Sequence, residues 1–429
     1  MAKDEMWDVA VIGGGAAGMM AAGRAAAQGA RVVVIEKNPG LGKKLLITGG
    51  GRCNVTNAEP DTRVLLAKFN SRGKKTDQFL FSPFARHGAK DSLEFFNGRG
   101  MPTKIEDNNR VFPQSDSAQS VWDVLVQYMK EGGVKVISGI KVSKIVSKSG
   151  HISHVELVNG QRITARSFIF ATGGKSRPET GSTGDGFAWL RALGHAIREP
   201  DASLVPLTIK ESWVKDLAGV SLKGITLTLI QNGKKYGKQS GKMLFTHRGV
   251  SGPAVLNLSR DAGELLGYGP VTLSLDMLPS TNLEALDTKL RSVFSVDSNK
   301  KVKNVLGPFI PSPALVGAVL AQAAIDPDLA CHSVTRAQRI ALGHSIKGLT
   351  LTVKGLLGVE KAIVTSGGVA LTEVDFRTMR SRLVDNLYIV GDLLDIDRPS
   401  GGYSLQLCWT TGMVAGENAA RLAAAPLRI

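Results

Sequence analysis

Val9-Ala10-Val11-Ile12-Gly13-Gly14-Gly15-Ala16-Ala17-Gly18 opens the chain with an apolar run that breaks into glycines and continues into an alanine-rich stretch. A second apolar run, Val32-Val33-Val34-Ile35, ends in Glu36, eighteen positions beyond Gly18. Strand, glycine turn, helix, strand and acid, in that order within about thirty residues, read as a dinucleotide-binding βαβ unit. Gly13 turns the chain sharply after the first strand, Gly15 lets backbone approach a pyrophosphate, and Gly18 lets the helix pack close to the sheet. The amides of the first helical turn, which holds Ala16 and Ala17, then face the phosphates. Glu36, followed by Lys37, is placed to accept hydrogen bonds from a ribose diol, and a carboxylate there disfavours a 2′-phosphate. A plain glycine turn would need none of the other four elements.

At 429 residues the chain exceeds a single core of usual size, so two or three domains are expected. A content of 43% hydrophobic and 21% charged residues describes a globular protein. No apolar run is long enough to span a bilayer, and Met1-Ala2-Lys3-Asp4-Glu5 is not a signal peptide, so the expected location is the cytoplasm, without a membrane. Cys53, Cys331 and Cys408 form no CxxC pair, which argues against a disulfide framework and against a metal site. The formal charge of +16, from 53 basic and 37 acidic residues, invites a polyanionic partner. Its alternative is a generally basic, solvated surface. Short basic groups stand out at Arg72-Gly73-Lys74-Lys75, Lys234-Lys235 and Lys300-Lys301-Val302-Lys303.

The patterning places an α/β nucleotide-binding domain in two pieces, residues 1–199 and 366–429, around an inserted domain at 200–365. Residues 39–57 are too glycine-rich for a core element. Helices are expected at 91–97 and 117–131, and strands at 134–137, 141–147, 152–157, 162–165 and 168–170. In the insertion, alternating segments at 224–231, 234–236 and 271–275 suggest a small antiparallel β domain, residues 282–345 look helical, and strands return at 348–353 and 361–364. A strand at 386–390 and a helix from Ser404 to Ala424 end the chain.

Two further strand ends fit the opening unit. Ala171-Thr172-Gly173-Gly174 puts small residues where a bound dinucleotide would pass, and Gly391-Asp392 puts a carboxylate at another strand end. In flavoproteins of the two-dinucleotide-binding class an acid at that late position binds the ribityl chain, so Asp392 is the candidate; alone it would equally read as a helix cap. Gly401-Gly402-Tyr403-Ser404-Leu405-Gln406 then opens the last helix, whose amides could stabilise negative charge on a flavin pyrimidine. With Lys44, Thr48, Gly50, Gly51, Arg52 and Val142, these form the candidate cofactor-binding set. No second GxGxxG-plus-acid unit appears, so NADH or NADPH would visit only transiently.

Lys44–Asn57 (KLLITGGGRCNVTN), Gly241–Pro253 (GKMLFTHRGVSGP) and Gly391–Gln406 (GDLLDIDRPSGGYSLQ) resemble the YhiN/BaiN-type (RdsA-like) family of bacterial flavoproteins over essentially the whole chain. The resemblance implies FAD, a two-dinucleotide-binding-type (Rossmann-like) FAD domain assembled from both chain ends, and an inserted β-barrel with a helical part. It also implies reduction of either a uridine in large-subunit ribosomal RNA or an unsaturated steroid acid. The chain departs from the family pattern at Asp392, where Glu is common, at Asp397-Arg398-Pro399-Ser400, which replaces a glycine-led turn, and at Ser404, where Asn is common.

Reducing an activated C=C bond needs a hydride donor and an acid that protonates the neighbouring carbon. Cys53, on the glycine-rich loop beside Arg52, is one candidate acid, with a packed small hydrophobe as the alternative. Arg52 could stabilise a flavin or substrate oxygen, or form a structural salt bridge. His247, in the inserted domain, is the second candidate acid, or a histidine merely satisfied in a turn. A uridine within RNA must be unstacked and its phosphates held, so lysines 234, 235, 300, 301 and 303 tip the reading toward RNA. The other readings are a reductase of a small conjugated molecule and a non-catalytic RNA-binding flavoprotein.

Overall fold

A computed structural model describes residues 6–69, 76–357 and 364–424. Residues 72–75 and 361–363, among the segments singled out above, lie outside them. The chain divides into two units, Met1–Ala202 with Ile363–Ile429, and Ser203–Ala362.

In the first unit the strand Met6–Ile12 lies between Val32–Glu36 and Arg162–Phe170, parallel to both, with Ile12 opposite Ile35 on one side and Phe170 on the other. Lys135–Ser138 extends the parallel sheet beyond Val32–Glu36, and Leu387–Ile389 extends it beyond Arg162–Phe170. Val9, Ala10, Val11 and Val33 are fully buried, as continuous apolar runs must be in a parallel sheet covered on both faces. The segments expected at 162–165 and 168–170 form one strand, Arg162–Phe170.

Both ends of the chain meet through two helices. Ala16–Ala27 and Tyr403–Ala424 touch backbone to backbone: a Cβ on Gly412 would lie 2.6 Å from the Ala17 carbonyl oxygen, and one on Gly416 2.3 Å from that of Ala21. Glycine is required at both positions.

The glycine-rich stretch departs from expectation. Leu45–Gly51 coils into short 3-10 turns, with Gly49, Gly50 and Gly51 all at positive φ. That reversal sends the following residues inward: Cys53, Val55 and Thr56 have no exposed surface, and Thr56–Asn57 pairs with Arg110–Pro113, which pairs in turn with Thr103–Glu106.

The second unit is built on a closed six-stranded barrel of Leu207–Ile209, Gly249–Ser251, Lys234–Thr246, Ser221–Gln231, Val271–Asp276 and Leu349–Leu356. Leu227, Leu229, Leu273 and Leu351 are fully buried, each worth about 1.5–3 kcal/mol of transfer free energy. The strand expected at 234–236 continues to Thr246, so the hairpin is far longer than its sequence suggests. A helix at Pro253–Leu266 stands where only β structure was expected; proline in its first turn costs no helical hydrogen bond. Helices Leu283–Val296, Val316–Gln322 and Arg336–Lys347 populate the helical segment, the last opened by a capping box of Thr335 and Gln338. No helix among the described residues is long and apolar enough to cross a membrane.

Candidate functional site

The strand ends of the first unit surround one cleft, lined by Gly13, Gly15, Ala16, Ala17, Glu36, Lys37, Lys44, Thr48, Val142, Ala171, Thr172, Gly173, Gly391, Asp392, Ser404 and Leu405. Gly13 turns at φ +104°, and a Cβ there would meet the Ala171 carbonyl oxygen at 2.6 Å. A Cβ on Gly18 would lie 1.9 Å from the Gly13 carbonyl oxygen, so Gly18 packs the helix against the turn and does not line the cleft. At Gly15 a Cβ would meet no protein atom within 4 Å, because it would point into open space.

Glu36 is 7% exposed and held on both oxygens: Gly14 N donates to Oε2 at 2.7 Å and Asn38 N to Oε1 at 2.7 Å. The carboxylate is thus fixed at the cleft wall before any ligand arrives. Lys37 Nζ donates to Asp185 Oδ2 at 2.8 Å, which brings the start of the helix Asp185–Ala192 to the site. Lys44 Nζ donates to Ser176 Oγ at 2.6 Å and lies 3.5 Å from Asp392 Oδ2.

Asp392 also receives Nη2 of Arg398, whose side chain has no exposed surface. Arg398 Nε reaches Ser404 Oγ at 3.0 Å and Nη1 the Ile396 carbonyl at 2.7 Å. Burial pushes the Asp392 carboxyl up, but the charges of Arg398 and Lys44 outweigh burial and leave it below the usual Asp range. The three departures from the family pattern, at 392, 398 and 404, are therefore one connected group of side chains.

These residues fit a dinucleotide. The helix Ala16–Ala27 has Gly15 as its N-cap with no side-chain cap and no acid in its first turn, so its leading amides are left for an anion. Thr172 Oγ1 is buried without a hydrogen-bond partner in a side chain that lines the cleft. The space beyond Gly15 is where a pyrophosphate would pass close to backbone.

Several candidates sit elsewhere. Cys53 is wholly buried in the apolar core, where burial pushes its thiol up to about 12, so it is a packed small hydrophobe and not an acid facing substrate. Arg52 does not line the cleft: its Nε donates to Asp116 Oδ1 at 2.8 Å, its Nη2 meets Glu106, and its guanidinium lies 4.1 Å over the Phe112 ring. Hydrogen bonds to Glu106, then to Asp116, raise its pKa, and the guanidinium stands in a salt bridge with both acids. Gly50 and Gly51 make the turn that Arg52 ties down, away from the cleft lining. Gly402 is also a packing residue, since a Cβ would lie 2.3 Å from the Thr56 backbone, and the Tyr403 ring packs edge-on against Phe69 at 5.7 Å. His247 is exposed on the turn between Lys234–Thr246 and Gly249–Ser251 of the second unit.

Sequence reasoning missed Asn38, Cys408, Thr180, Gly181, Ser182, Thr183 and Asp185, all lining the cleft. Asn38 Nδ2 donates to the Thr180 carbonyl at 3.0 Å, closing that segment over the end of the second strand. The signal available was its composition, Gly181-Ser182-Thr183-Gly184, shortly after the Thr172-Gly173 strand end.

The profile of the HI0933-like protein Rossmann domain matches residues 7–418. A 3-dehydro-bile acid delta(4,6)-reductase of Clostridium scindens is 32% identical, over 96% of this chain and 98% of its own. A ribosomal RNA dihydrouridine synthase of Escherichia coli is 29% identical, again over 96% and 98%. Among solved structures, a 3-ketosteroid-delta4-(5alpha)-dehydrogenase from Rhodococcus jostii RHA1 superposes with a TM-score of 0.54 at 16% identity, covering 97% of both chains, a likeness of fold. With a βαβ cleft built for a dinucleotide and a match along nearly its whole length, the chain belongs to the HI0933-like family, as an FAD-dependent oxidoreductase on a Rossmann-type domain.

Proposed function

We propose that this chain reduces an activated carbon–carbon double bond, and that its substrate is a uridine of large-subunit ribosomal RNA, converted to dihydrouridine. The carrying observation is the formal charge of +16, which a polyanionic substrate explains and a small acid does not require. The relative named ribosomal RNA dihydrouridine synthase supports the same reading.

FAD, when bound, supplies two-electron reducing chemistry, with NADH or NADPH as the transient reductant. The chain's own residues do the rest. Glu36 presents a fixed carboxylate to a ribose, and the leading amides of Ala16–Ala27 take the pyrophosphate charge. Asp392, kept ionised by Arg398 and Lys44, accepts hydrogen bonds from the ribityl chain. The Cys53 thiol is sealed in the core, so of the two candidate acids only His247, exposed on its turn in the second unit, has a solvent-accessible side chain.

A second reading, reduction of a small conjugated acid, is favoured by the relative named as a bile acid reductase at 32% identity. Deleting the gene and mapping dihydrouridine along the large-subunit RNA tests the first. Loss of one dihydrouridine supports it, and an unchanged modification pattern rejects it.

A further inference from the structure

The two lysine groups of the second unit are not equivalent. Lys301 and Lys303 both reach Asp328 Oδ1 at 2.8 Å, and Lys300 reaches Asp297 Oδ1 at 2.9 Å, so that group is neutralised by its own acids. The hairpin Ser221–Gln231 and Lys234–Thr246 differs. Between Asp216 and Asp261 the sequence holds no acidic residue at all, while it carries Lys223, Lys234, Lys235, Lys238, Lys242, Arg248 and Arg260. The five lysines are exposed, and among the described residues none of them is paired with a carboxylate.

Their placement follows from the pairing register. Thr228 faces Lys238 and Thr226 faces Ser240, while Gly237, Gln239 and Gly241 alternate to the opposite side. Lys238 and Lys242 therefore share one face with the Thr226 and Ser240 hydroxyls, which bond at 2.8 Å. They are two alternations apart, about 13–14 Å along the strand. Asp261 sits by Gly237, on the side from which Lys238 points away. At the tip, a register shift at Leu229/Ile230 accompanies Lys234, Lys235 and Tyr236, a residue 52% exposed. A row of unpaired ammonium groups ending in an exposed aromatic ring matches the chemistry of single-stranded nucleic acid, with phosphates on the cations and a base on the ring.

We infer that this hairpin is the RNA-docking element of the protein, its lysines holding the phosphate backbone and Tyr236 stacking on an unpaired base. The inference rests on RNA being the substrate and names the surface that recognises it. An anionic membrane would also meet lysines, but it gives Tyr236 no stacking partner.

The test uses the full-length FAD-loaded protein and an in vitro transcript of large-subunit ribosomal RNA. Affinity is measured from 50 to 300 mM salt for wild type, for K234Q/K235Q/K238Q, for Y236A and for K300Q/K301Q/K303Q. The hairpin triple variant should bind at least about tenfold more weakly at physiological salt, and its log–log salt slope should fall by about 2. Y236A should lose about tenfold with an unchanged slope. The paired-lysine variant should bind like wild type. All three substitute exposed side chains, so unchanged melting temperature and FAD content verify folding.

Tight wild-type binding that the hairpin variants leave unaltered overturns the docking element while leaving the substrate reading standing. Hairpin-dependent binding without dihydrouridine formation upholds the docking element and rejects the substrate reading. Binding to phosphatidylserine vesicles that needs these lysines, with no binding to RNA, overturns the inference.

Discussion

Arg398 and Asp392 form a buried ion pair at the cofactor cleft, and the arginine's other two nitrogens donate to Ser404 Oγ at 3.0 Å and the Ile396 carbonyl at 2.7 Å. Removing the guanidinium would leave the carboxylate buried with only Lys44, 3.5 Å away. R398M is expected to cost about 3 kcal/mol or more of folding stability, and D392N/R398M less than the sum of its single changes. R398K, which keeps the charge without the three-way bonding, should fall between R398M and wild type. Denaturant unfolding and FAD titration of the four variants measure this, and additivity of the double variant would refute the coupling.

Gly15 and Gly18 of the opening motif act differently, and one substitution at each separates the roles. G18A forces a Cβ to 1.9 Å from the Gly13 carbonyl oxygen, so the apoprotein should lose about 1–3 kcal/mol. G15A meets no protein atom, so the apoprotein should change by about 1 kcal/mol or less, while FAD affinity falls tenfold or more. Apoprotein melting and FAD titration distinguish them. Equal FAD affinity in G15A and wild type would remove Gly15 from the pyrophosphate path.

Cys53, as a core residue, should tolerate loss of its sulfur in catalysis. C53A is expected to retain flavin reduction and reoxidation rates within a few fold, at a stability cost of about 1 kcal/mol. With its thiol raised to about 12, Cys53 in the native protein should resist iodoacetamide at pH 7. Loss of substrate-dependent flavin reoxidation in a folded, FAD-loaded C53A would restore it as the acid.

His87 supplies a pH dependence with a defined window. Burial lowers its pKa to about 4, the Arg24 charge adding to burial and the Asp91 charge opposing it; Ser92 Oγ lies 3.2 Å from Nε2. A depressed pKa means the unfolded chain binds the proton first, so His87 contributes stability above about pH 6.5 that is lost as pH falls toward 4. At 1.36 kcal/mol per unit this amounts to about 3 kcal/mol. Unfolding free energies of wild type and H87Q, measured from pH 7 to 4, should converge in acid by about that amount; parallel curves would contradict the neutral buried imidazole.

The opening βαβ unit, the Ala171–Gly173 strand end and Asp392 were legible in the sequence because each depends on local spacing: a run, a turn and an acid at a fixed offset. FAD as the cofactor followed from them. What was not legible depends on where the chain goes afterwards. Nothing near Cys53 announces that three glycines at positive φ turn it into the core, and nothing in Arg52 says that Glu106 and Asp116 wait across a small sheet. The hairpin's length was hidden because Gly237, Gln239 and Gly241 break the alternation expected of a strand, and its partners supply the missing order. Arg398 stood in the sequence as one residue of a departing turn near Asp392 and Ser404; only the fold shows that its guanidinium bonds to both.

The most direct measurement is anaerobic mixing of the photoreduced, FAD-loaded protein with large-subunit ribosomal RNA, followed through the flavin absorbance. The account predicts that oxidised-flavin absorbance returns with RNA in a single turnover, that dihydrouridine forms in equal amount, and that small enones do not substitute. Rapid reoxidation by a conjugated small acid, with none by RNA, would contradict it.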